Sequence, residues 1–214
     1  LLAAFALRLG VLYLRPNIHW PDEIFQVMEP AHRLVFGTGA VSWEWVAGIR
    51  SWLLPSFVAG LMAVGRVLGD APAQINLPVA VFMAAAGCAP VACGYGWGAK
   101  FHGRVGGAVV ASVAALWVDL VYMSPHTLTE VVAADCLPVA LFLGLPGAGE
   151  TASRRRLWLA GGMLGLTFAL RFHLAPALLV AAIGICVGAW WRWRAAIVGA
   201  CVPVLVLGLL DWAT

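Results

Sequence analysis

The sequence predicts an all-α protein built from several membrane-spanning helices. Hydrophobic residues make up 63% of its 214 residues and charged residues only 11%, whereas a soluble domain is roughly 45–50% apolar and about 25% charged. The 11 tryptophans add the residue type that gathers at membrane interfaces. This composition excludes a water-soluble globule, a disordered chain and a nucleic-acid-binding domain.

Seven apolar stretches approach the length of about 20 residues that a membrane-spanning helix needs. They are residues 1–14, 77–98, 105–123, 131–147, 157–170, 174–191 and 195–210. The sequence begins inside one apolar run and stops just after another, so we expect it to be the N-terminal part of a longer protein. A further stretch, 51–69, carries Pro55 and Arg66. Because a charge near mid-membrane costs about 2.5–3.5 kcal/mol, an interfacial or re-entrant course is favoured over a crossing. If this stretch crosses, the loop before it, 15–50, is cytoplasmic; if it does not, that loop lies on the opposite side.

The basic residues predict the sidedness of the chain, since short cytoplasmic loops are rich in Lys and Arg. Segments 100–104, 154–156 and 192–194 are basic, and they share one side if the six later spans alternate. The opposite side then receives segments 124–130 and 171–173 and the residue Asp211. We therefore predict one transmembrane module, 1–214, with a first outer loop at 15–69 that contains interfacial helices, and six further transmembrane helices in 70–214.

The first outer loop begins with a predicted amphipathic helix. Pro21 and Asp22 form a helix-start signal. One face of that helix is apolar, with Ile24, Val27, Met28, Ala31, Leu34 and Val35, and the other carries Asp22, Gln26, Glu29 and Arg33. Such a helix is expected to lie on the bilayer. Pro30 should kink it or split it in two.

An acidic pair, Asp22 and Glu23, stands where the first span meets this helix. Asp22 has two possible roles, a helix N-cap or a catalytic carboxylate, and Glu23 and Glu29 have a solvated helix face as their alternative. Trp43 and Trp45 flank Glu44, which suggests either a sugar or headgroup site or an interfacial tryptophan belt. The five Cys show no metal-type spacing, and no third ligand is spaced to make a metal site with His19 and His32.

The run of residues 19–26, His-Trp-Pro-Asp-Glu-Ile-Phe-Gln, opens a set of motifs that resembles glycosyltransferase family 22. The set continues with Glu29, His32, Gly37-Thr38-Gly39, Ser42-Trp43-Glu44-Trp45 and Arg50-Ser51. Weaker similarity extends through Thr127-Leu128-Thr129-Glu130 and Arg171. Members of this family are the mannosyltransferases of GPI-anchor and dolichol-linked oligosaccharide assembly, with bacterial relatives. The sequence differs from the pattern at Ser42, where Thr is usual, and at Trp20, which is inserted between the usual His and Pro.

The resemblance implies the fold called GT-C, whose first loop lies outside the cytoplasm. It implies transfer of a hexose, with mannose expected, from a polyprenyl- or dolichyl-phosphate sugar to a glycan or glycolipid acceptor, by inverting single displacement and without a cofactor. Asp22 is then the catalytic base, and Glu23 supports or orients it. The residues implied to bind substrates are Gln26, Glu29, His32, Trp43, Glu44, Arg50, Glu130, Arg171 and His173. Arg50 and Arg171 suit a lipid phosphate, although Arg171 has membrane snorkelling as an alternative.

The expected location is a bacterial cytoplasmic membrane with the active site on the periplasmic side, because the sequence is poor in Lys and rich in Ala, Gly, Val, Arg and Trp. In a eukaryote it would be the endoplasmic reticulum membrane, with a luminal site. One alternative is a transporter or flippase with Asp119, Asp135 and Arg171 along its pathway. Another is a non-catalytic scaffold in a membrane complex.

Overall fold

The computed structural model describes residues 1–14, 17–146 and 151–213, and all regular secondary structure in these ranges is helical. The helices are α1 (Leu2–Leu14), a π-helix (Glu23–Met28), α2 (Glu29–Phe36), α3 (Trp43–Val46), α4 (Leu53–Leu68), α5 (Pro72–Ala86), α6 (Ala89–Leu116), α7 (Val118–Met123), α8 (Thr129–Gly144), α9 (Arg154–Leu170), a 3₁₀ turn (Phe172–Leu174), α10 (Ala175–Cys186) and α11 (Trp190–Ala213). The all-α prediction is confirmed. The predicted start of the first loop, at residue 15, and the end of the predicted span 131–147 lie outside the described residues.

Two helical stretches, 72–116 and 190–213, are long and apolar enough to cross a bilayer. The first reverses direction inside α6, where His102 and Gly103 leave the helical conformation and Gly103 has a φ of +67°. Gly98 consequently lies against the backbone of Gly106 and Gly107. The reversal falls within the basic segment 100–104 that the sequence predicted as a loop.

Three predicted spans differ from the observed helices. The span 77–98 is divided by a turn at Gly87 and Cys88, because Pro90 has no N–H to continue the α5 ladder and is tolerated only in the first turn of a new helix. The span 105–123 is divided at Trp117, whose backbone is extended. The span 174–191 is wrong at its end, since α10 stops at Cys186 and Gly188, with a φ of +97°, precedes α11. The basic segments 154–156 and 192–194, which the sequence predicted as loops, lie inside α9 and α11.

The three basic segments meet at one end of α8. The Lys100 ammonium lies 5.3 Å from the ring centre of Phe142. Arg156 donates a hydrogen bond to the carbonyl of Phe142 at 2.9 Å, and Arg192 donates one to the carbonyl of Gly144 at 3.4 Å. The basic segments therefore share one side, as predicted. We call the opposite end of the bundle, where α8 begins and α9 ends, the polar end.

The first loop packs over the polar end. The apolar face of the π-helix and α2 joins α4 and α5 in a cluster that we call the first-loop core: Val27, Ala31, Leu54, Val58, Ala59, Met62, Val79 and Met83. Val132 of α8 and Leu170 of α9 pack against it. The predicted apolar face is present at Val27, Met28, Ala31 and Val35, but Leu34 is exposed, and Gln26, predicted on the polar face, is buried. The helix does not bury its apolar face in lipid as expected, because α4 and α5 supply a protein surface that covers it.

Small residues bring α9 and α11 into backbone contact. A methyl group added at Gly161 would overlap the carbonyl oxygen of Ala196, and one added at Gly199 would overlap that of Trp158. Close approach of this kind is how membrane helices gain packing without a hydrophobic driving force.

We expect Gly161→Ala to separate α9 from α11 and to lower the free energy of unfolding by about 1–3 kcal/mol, the usual cost of overpacking. The thermal midpoint of the detergent-solubilised chain measures it. Gly162→Ala is the matched control, since its methyl group would lie 3.7 Å from the nearest atom, the Gly199 oxygen. Equal midpoints for the two variants would contradict this packing.

Candidate active site

Pro30 shapes the helix that carries the acidic pair. The N–H of Glu29 bonds to the carbonyl of Ile24, five residues back, as in a π-helix. Pro30 has no N–H, so the carbonyl of Phe25 lacks a main-chain donor, and the indole Nε1 of Trp45 donates to it at 2.9 Å. The sequence predicted a kink or a split at Pro30. The helix does not split there: the π-helix runs directly into α2, and the Trp45 bond fixes α3 against it.

Glu23 is fastened to the segment between α7 and α8. Its carboxylate accepts hydrogen bonds from His126 Nδ1 at 2.9 Å, the Thr127 N–H at 3.0 Å and the His19 N–H at 3.4 Å. His126 is only 2% exposed. Because an ionised carboxylate only accepts, Nδ1 must carry the proton of the His126 bond. We call this arrangement the Glu23 clamp.

The clamp keeps Glu23 ionised. Burial by itself raises the pKa of this carboxyl, but the hydrogen bond and charge of His126, together with the N–H groups of Thr127 and His19, lower it below its usual range. Tyr122 lies beside the clamp, with its hydroxyl 3.2 Å from His19 Nδ1 and its ring 5.1 Å from that of His126. Glu23 is therefore a fixed negative charge rather than a group free to exchange protons.

Asp22, one residue away, has the opposite environment. Its side chain caps no backbone N–H of the helix, so the N-cap interpretation is wrong. It lines a cavity of about 270 Å³ together with Trp20, Met123, Leu128 and Glu130. An exposed carboxylate that faces a cavity can accept a proton from a bound molecule.

A second cavity, of about 110 Å³, separates the first loop from the end of α9. Gln26, Arg50, Arg171 and His173 are among its lining residues. Arg50 donates to Glu44 at 2.6 Å, and Arg171 donates to Glu130. Each guanidinium keeps a buried Nε with no hydrogen-bond partner in the described chain, and planar guanidinium groups suit phosphate oxygens.

The charges of the site act on one another. The hydrogen bond from Arg50 is the main cause that lowers the pKa of Glu44, and a bond from Gln26 and the charge of Arg171 add to it. Burial and the charge of Arg50 lower the pKa of Arg171, whereas Asp22 and Glu44 raise it. The charges of Arg50, Arg171, Asp22 and Glu44 therefore form one set of interacting groups.

Glu29 and His32 hold a turn of the first loop. Glu29 accepts from the Ala40 N–H at 2.6 Å, and His32 Nδ1 lies 2.7 Å from the Thr38 carbonyl. Gly37, with a φ of +73°, ends α2 and lets the chain turn back. This turn returns the chain towards the acidic pair. Trp43 is 70% exposed at the start of α3.

The structure thus brings together most of the residues that the sequence singled out. They are Asp22, Glu23, Gln26, Glu44, Arg50, Glu130, Arg171 and His173; Glu29, His32 and Trp43 lie elsewhere in the first loop. Sequence reasoning missed His126, Tyr122 and the role of Trp45. The only signal for His126 was its position in the same predicted outer segment as Glu130. Within the described ranges, no group of three His, Cys, Asp or Glu residues could hold a metal ion.

Comparison with known proteins gives partial matches. GPI mannosyltransferase 3 of Drosophila melanogaster is 43% identical over 67 residues, which are 31% of this chain and 12% of that protein. Mannosyltransferase APTG1 of Arabidopsis thaliana is 49% identical over 53 residues, 24% of this chain and 10% of that protein. GPI alpha-1,2-mannosyltransferase 3 of Homo sapiens is 33% identical over 75 residues, 35% of this chain and 14% of that protein. No solved structure matches the chain.

The chain therefore matches only a small part of the length of these relatives. The model of the Alg9-like mannosyltransferase family, by contrast, matches residues 1–145. That range is more than half of the chain, and it contains the acidic pair, the Glu23 clamp and Glu130. The resemblance in the first loop is confirmed, and the chain belongs to the Alg9-like mannosyltransferases, glycosyltransferase family 22.

Proposed function

We propose that the polar end transfers mannose from a polyprenyl- or dolichyl-phosphate donor to a glycan or glycolipid acceptor, by a single inverting displacement. The observation that carries the proposal is the position of Asp22. It is an exposed carboxylate within electrostatic range of Arg171, and it shares its cavity with Glu130, which binds Arg171. The mannosyltransferase names of the relatives support the choice of sugar.

Asp22 acts as the general base. Proton transfer requires a carboxylate oxygen within about 2.6–3.2 Å of the acceptor hydroxyl, and the cavity beside Asp22 gives a hydroxyl that access. The acceptor oxygen loses its proton to Asp22 and attacks the anomeric carbon of mannose, while the phosphate leaves from the opposite face with the bonding electron pair. Direct displacement forms no covalent intermediate with the protein.

Arg50 and Arg171 stabilise the phosphate that leaves. Their unpartnered Nε atoms can donate to phosphate oxygens, and a charge-assisted bond of this kind is roughly twice as strong as a neutral one. Glu44, which also has a hydrogen bond with Gln26, holds Arg50 in place, and His173 stands at the same cavity as a further donor. Glu23 acts as a positioning residue, because the clamp fixes the main chain next to Asp22.

The polar end faces away from the cytoplasm, towards the periplasm of a bacterium or the lumen of the endoplasmic reticulum. The basic segments at the other end of the bundle support this orientation. Helix α4 does not cross, which is supported by its contacts with the first loop along its length: Leu54 and Val58 pack with Val27, and the Arg66 guanidinium lies 5.3 Å from the Phe36 ring centre. Residues 70–214 then supply six further spans.

Replacing Asp22 with Asn removes the base without changing its size. In the full chain reconstituted in vesicles, we expect Asp22→Asn to lower kcat for mannose transfer by about 10²–10⁴-fold, with an unchanged amount of inserted protein. Asp70→Asn, at an exposed acid in the turn after α4, is the control and should keep full activity. A normal kcat in Asp22→Asn would refute the mechanism, and lipid-sugar flux without transfer would favour the transporter alternative.

Replacing Arg171 with Gln tests the phosphate site. We expect Arg171→Gln to raise the KM for polyprenyl-phosphate mannose about tenfold, the effect of losing one charged hydrogen bond of about 1.5–3 kcal/mol. Glu130→Gln is the matched variant, since it breaks the same ion pair but keeps the guanidinium, and it should leave the donor KM near the wild-type value. Equal donor KM values in both variants would mean that Arg171 serves only to hold Glu130.

Replacing His126 tests the Glu23 clamp. A pKa lowered in the folded state gives stability that is present above the unfolded pKa and is lost as the pH falls through the folded value. His126→Leu should raise the pKa of Glu23, so that its acid unfolding begins at a higher pH than that of the wild type. His126→Asn, whose amide can still donate, should restore most of the difference. Thermal midpoints measured across the acid range decide this, and identical profiles for all three proteins would show that the clamp does not hold Glu23 ionised.

A further inference from the structure

A third cavity lies between α7 and α8. Its volume is about 240 Å³, and its polar lining residues are Asp119, Ser124, Glu130 and Asp135. Met123 and Glu130 line both this cavity and the one beside Asp22. The two spaces are therefore neighbours, and a molecule bound in one can extend into the other.

Asp135 is the unusual residue of this cavity. It is 7% exposed, and its buried Oδ2 has no hydrogen-bond partner in the described part of the chain. Buried polar atoms almost always have a partner, because leaving one unpaired costs free energy. Asp135 therefore lacks a donor that the surrounding helices do not supply.

Arg8, the cation near Asp135, does not supply this donor. Arg8 is fully buried and lies within electrostatic range of Asp135, but it donates to Ser124 Oγ at 3.2 Å and to the carbonyls of Ala4 and Ala114 at 3.1 and 3.4 Å. Its charge lowers the cost of burying a carboxylate at this position, while Oδ2 of Asp135 has no partner in the described chain and Asp135 lines the cavity.

We infer that this third cavity binds the polyhydroxyl head group of the acceptor, with Asp135 accepting hydrogen bonds from its sugar hydroxyls. The inference rests on the proposed function and deepens it. Asp119, Glu130 and Asp135 make the cavity unfavourable for an anion such as a phosphate. A neutral sugar brings the donors that carboxylates need, and its reacting hydroxyl can reach Asp22 through the space shared at Met123 and Glu130.

The site then sorts its two substrates by charge. The cationic cavity of Arg50 and Arg171 takes the donor phosphate, and the acidic cavity takes the acceptor. The Glu130–Arg171 ion pair stands between them, and Asp22 lies at the junction where the two substrates meet.

The test uses the full chain in vesicles, the probe octyl α-D-mannopyranoside and dicyclohexylcarbodiimide, a hydrophobic reagent that modifies carboxyl groups. Mass spectrometry follows the modification of Asp135. We expect the mannoside to slow this modification at least threefold, and octanol at the same membrane concentration to leave it unchanged. Equal effects of mannoside and octanol, including no effect of either, would overturn the inference.

Ala134 offers a variant that leaves Asp135 intact, since it is exposed to the same cavity. Ala134→Leu fills the space and should raise the half-protecting mannoside concentration at least tenfold. Ala108→Leu, at an exposed position of α6 that does not line the cavity, is the matched control and should protect like the wild type. Unchanged protection in Ala134→Leu would place the mannoside elsewhere.

A double variant separates mannoside binding from the balance of charge between Arg8 and Asp135. Asp135→Asn alone leaves Arg8 without a nearby counter-charge, whereas Arg8→Gln with Asp135→Asn removes both charges. Isothermal titration of the inserted double variant should still show weakened mannoside binding, and wild-type affinity there would show that Asp135 only balances Arg8. Because none of these measurements needs transfer, loss of mannoside protection refutes the acceptor site alone, and activity of Asp22→Asn refutes the proposed function alone.

Discussion

The candidate site depends on the Glu23 clamp. A carboxylate that is only 12% exposed has lost most of its hydration, and a buried charge is tolerated only when hydrogen bonds replace the lost water. His126 and Thr127 supply those bonds from a segment more than a hundred residues further along the chain. The cavity beside Asp22 is built from residues of both segments, so it exists only while the clamp joins them.

The sequence predicted the helices well wherever an apolar run was uninterrupted, as in α1 and α9. It failed where a turn lies inside such a run. No polar residue marks the turn at Gly87, and only Asp119 lies close to the break at Trp117. Hydropathy measures how well a segment suits lipid, and it contains no signal for a local change of backbone direction. The apolar face of α2 was predicted correctly at Ala31 and Val35 but not at Leu34, and the surface that covers it was not predicted.

The motif identified the acidic pair, but it did not show that Asp22 and Glu23 have different roles. Asp22 and Glu23 are neighbours in the sequence with the same chemistry, and only tertiary contacts make one a fixed charge and leave the other free. The contact of Trp45 was equally hidden, since it depends on a main-chain carbonyl that a regular α-helix would have satisfied. Local spacing reports which side chains share a face, but not which distant groups will meet them.

The bond between Trp45 and the Phe25 carbonyl has an evolutionary consequence. A relative with an ordinary amino acid in place of Pro30 would regain a main-chain donor for that carbonyl, and the indole would no longer be required there. Positions 30 and 45 are therefore coupled, and we expect them to covary among homologues: proline at the first should coincide with a hydrogen-bonding aromatic at the second. Such a pairing would show that homologues have either the π-helix with its indole hydrogen bond or a helix with the main-chain donor restored.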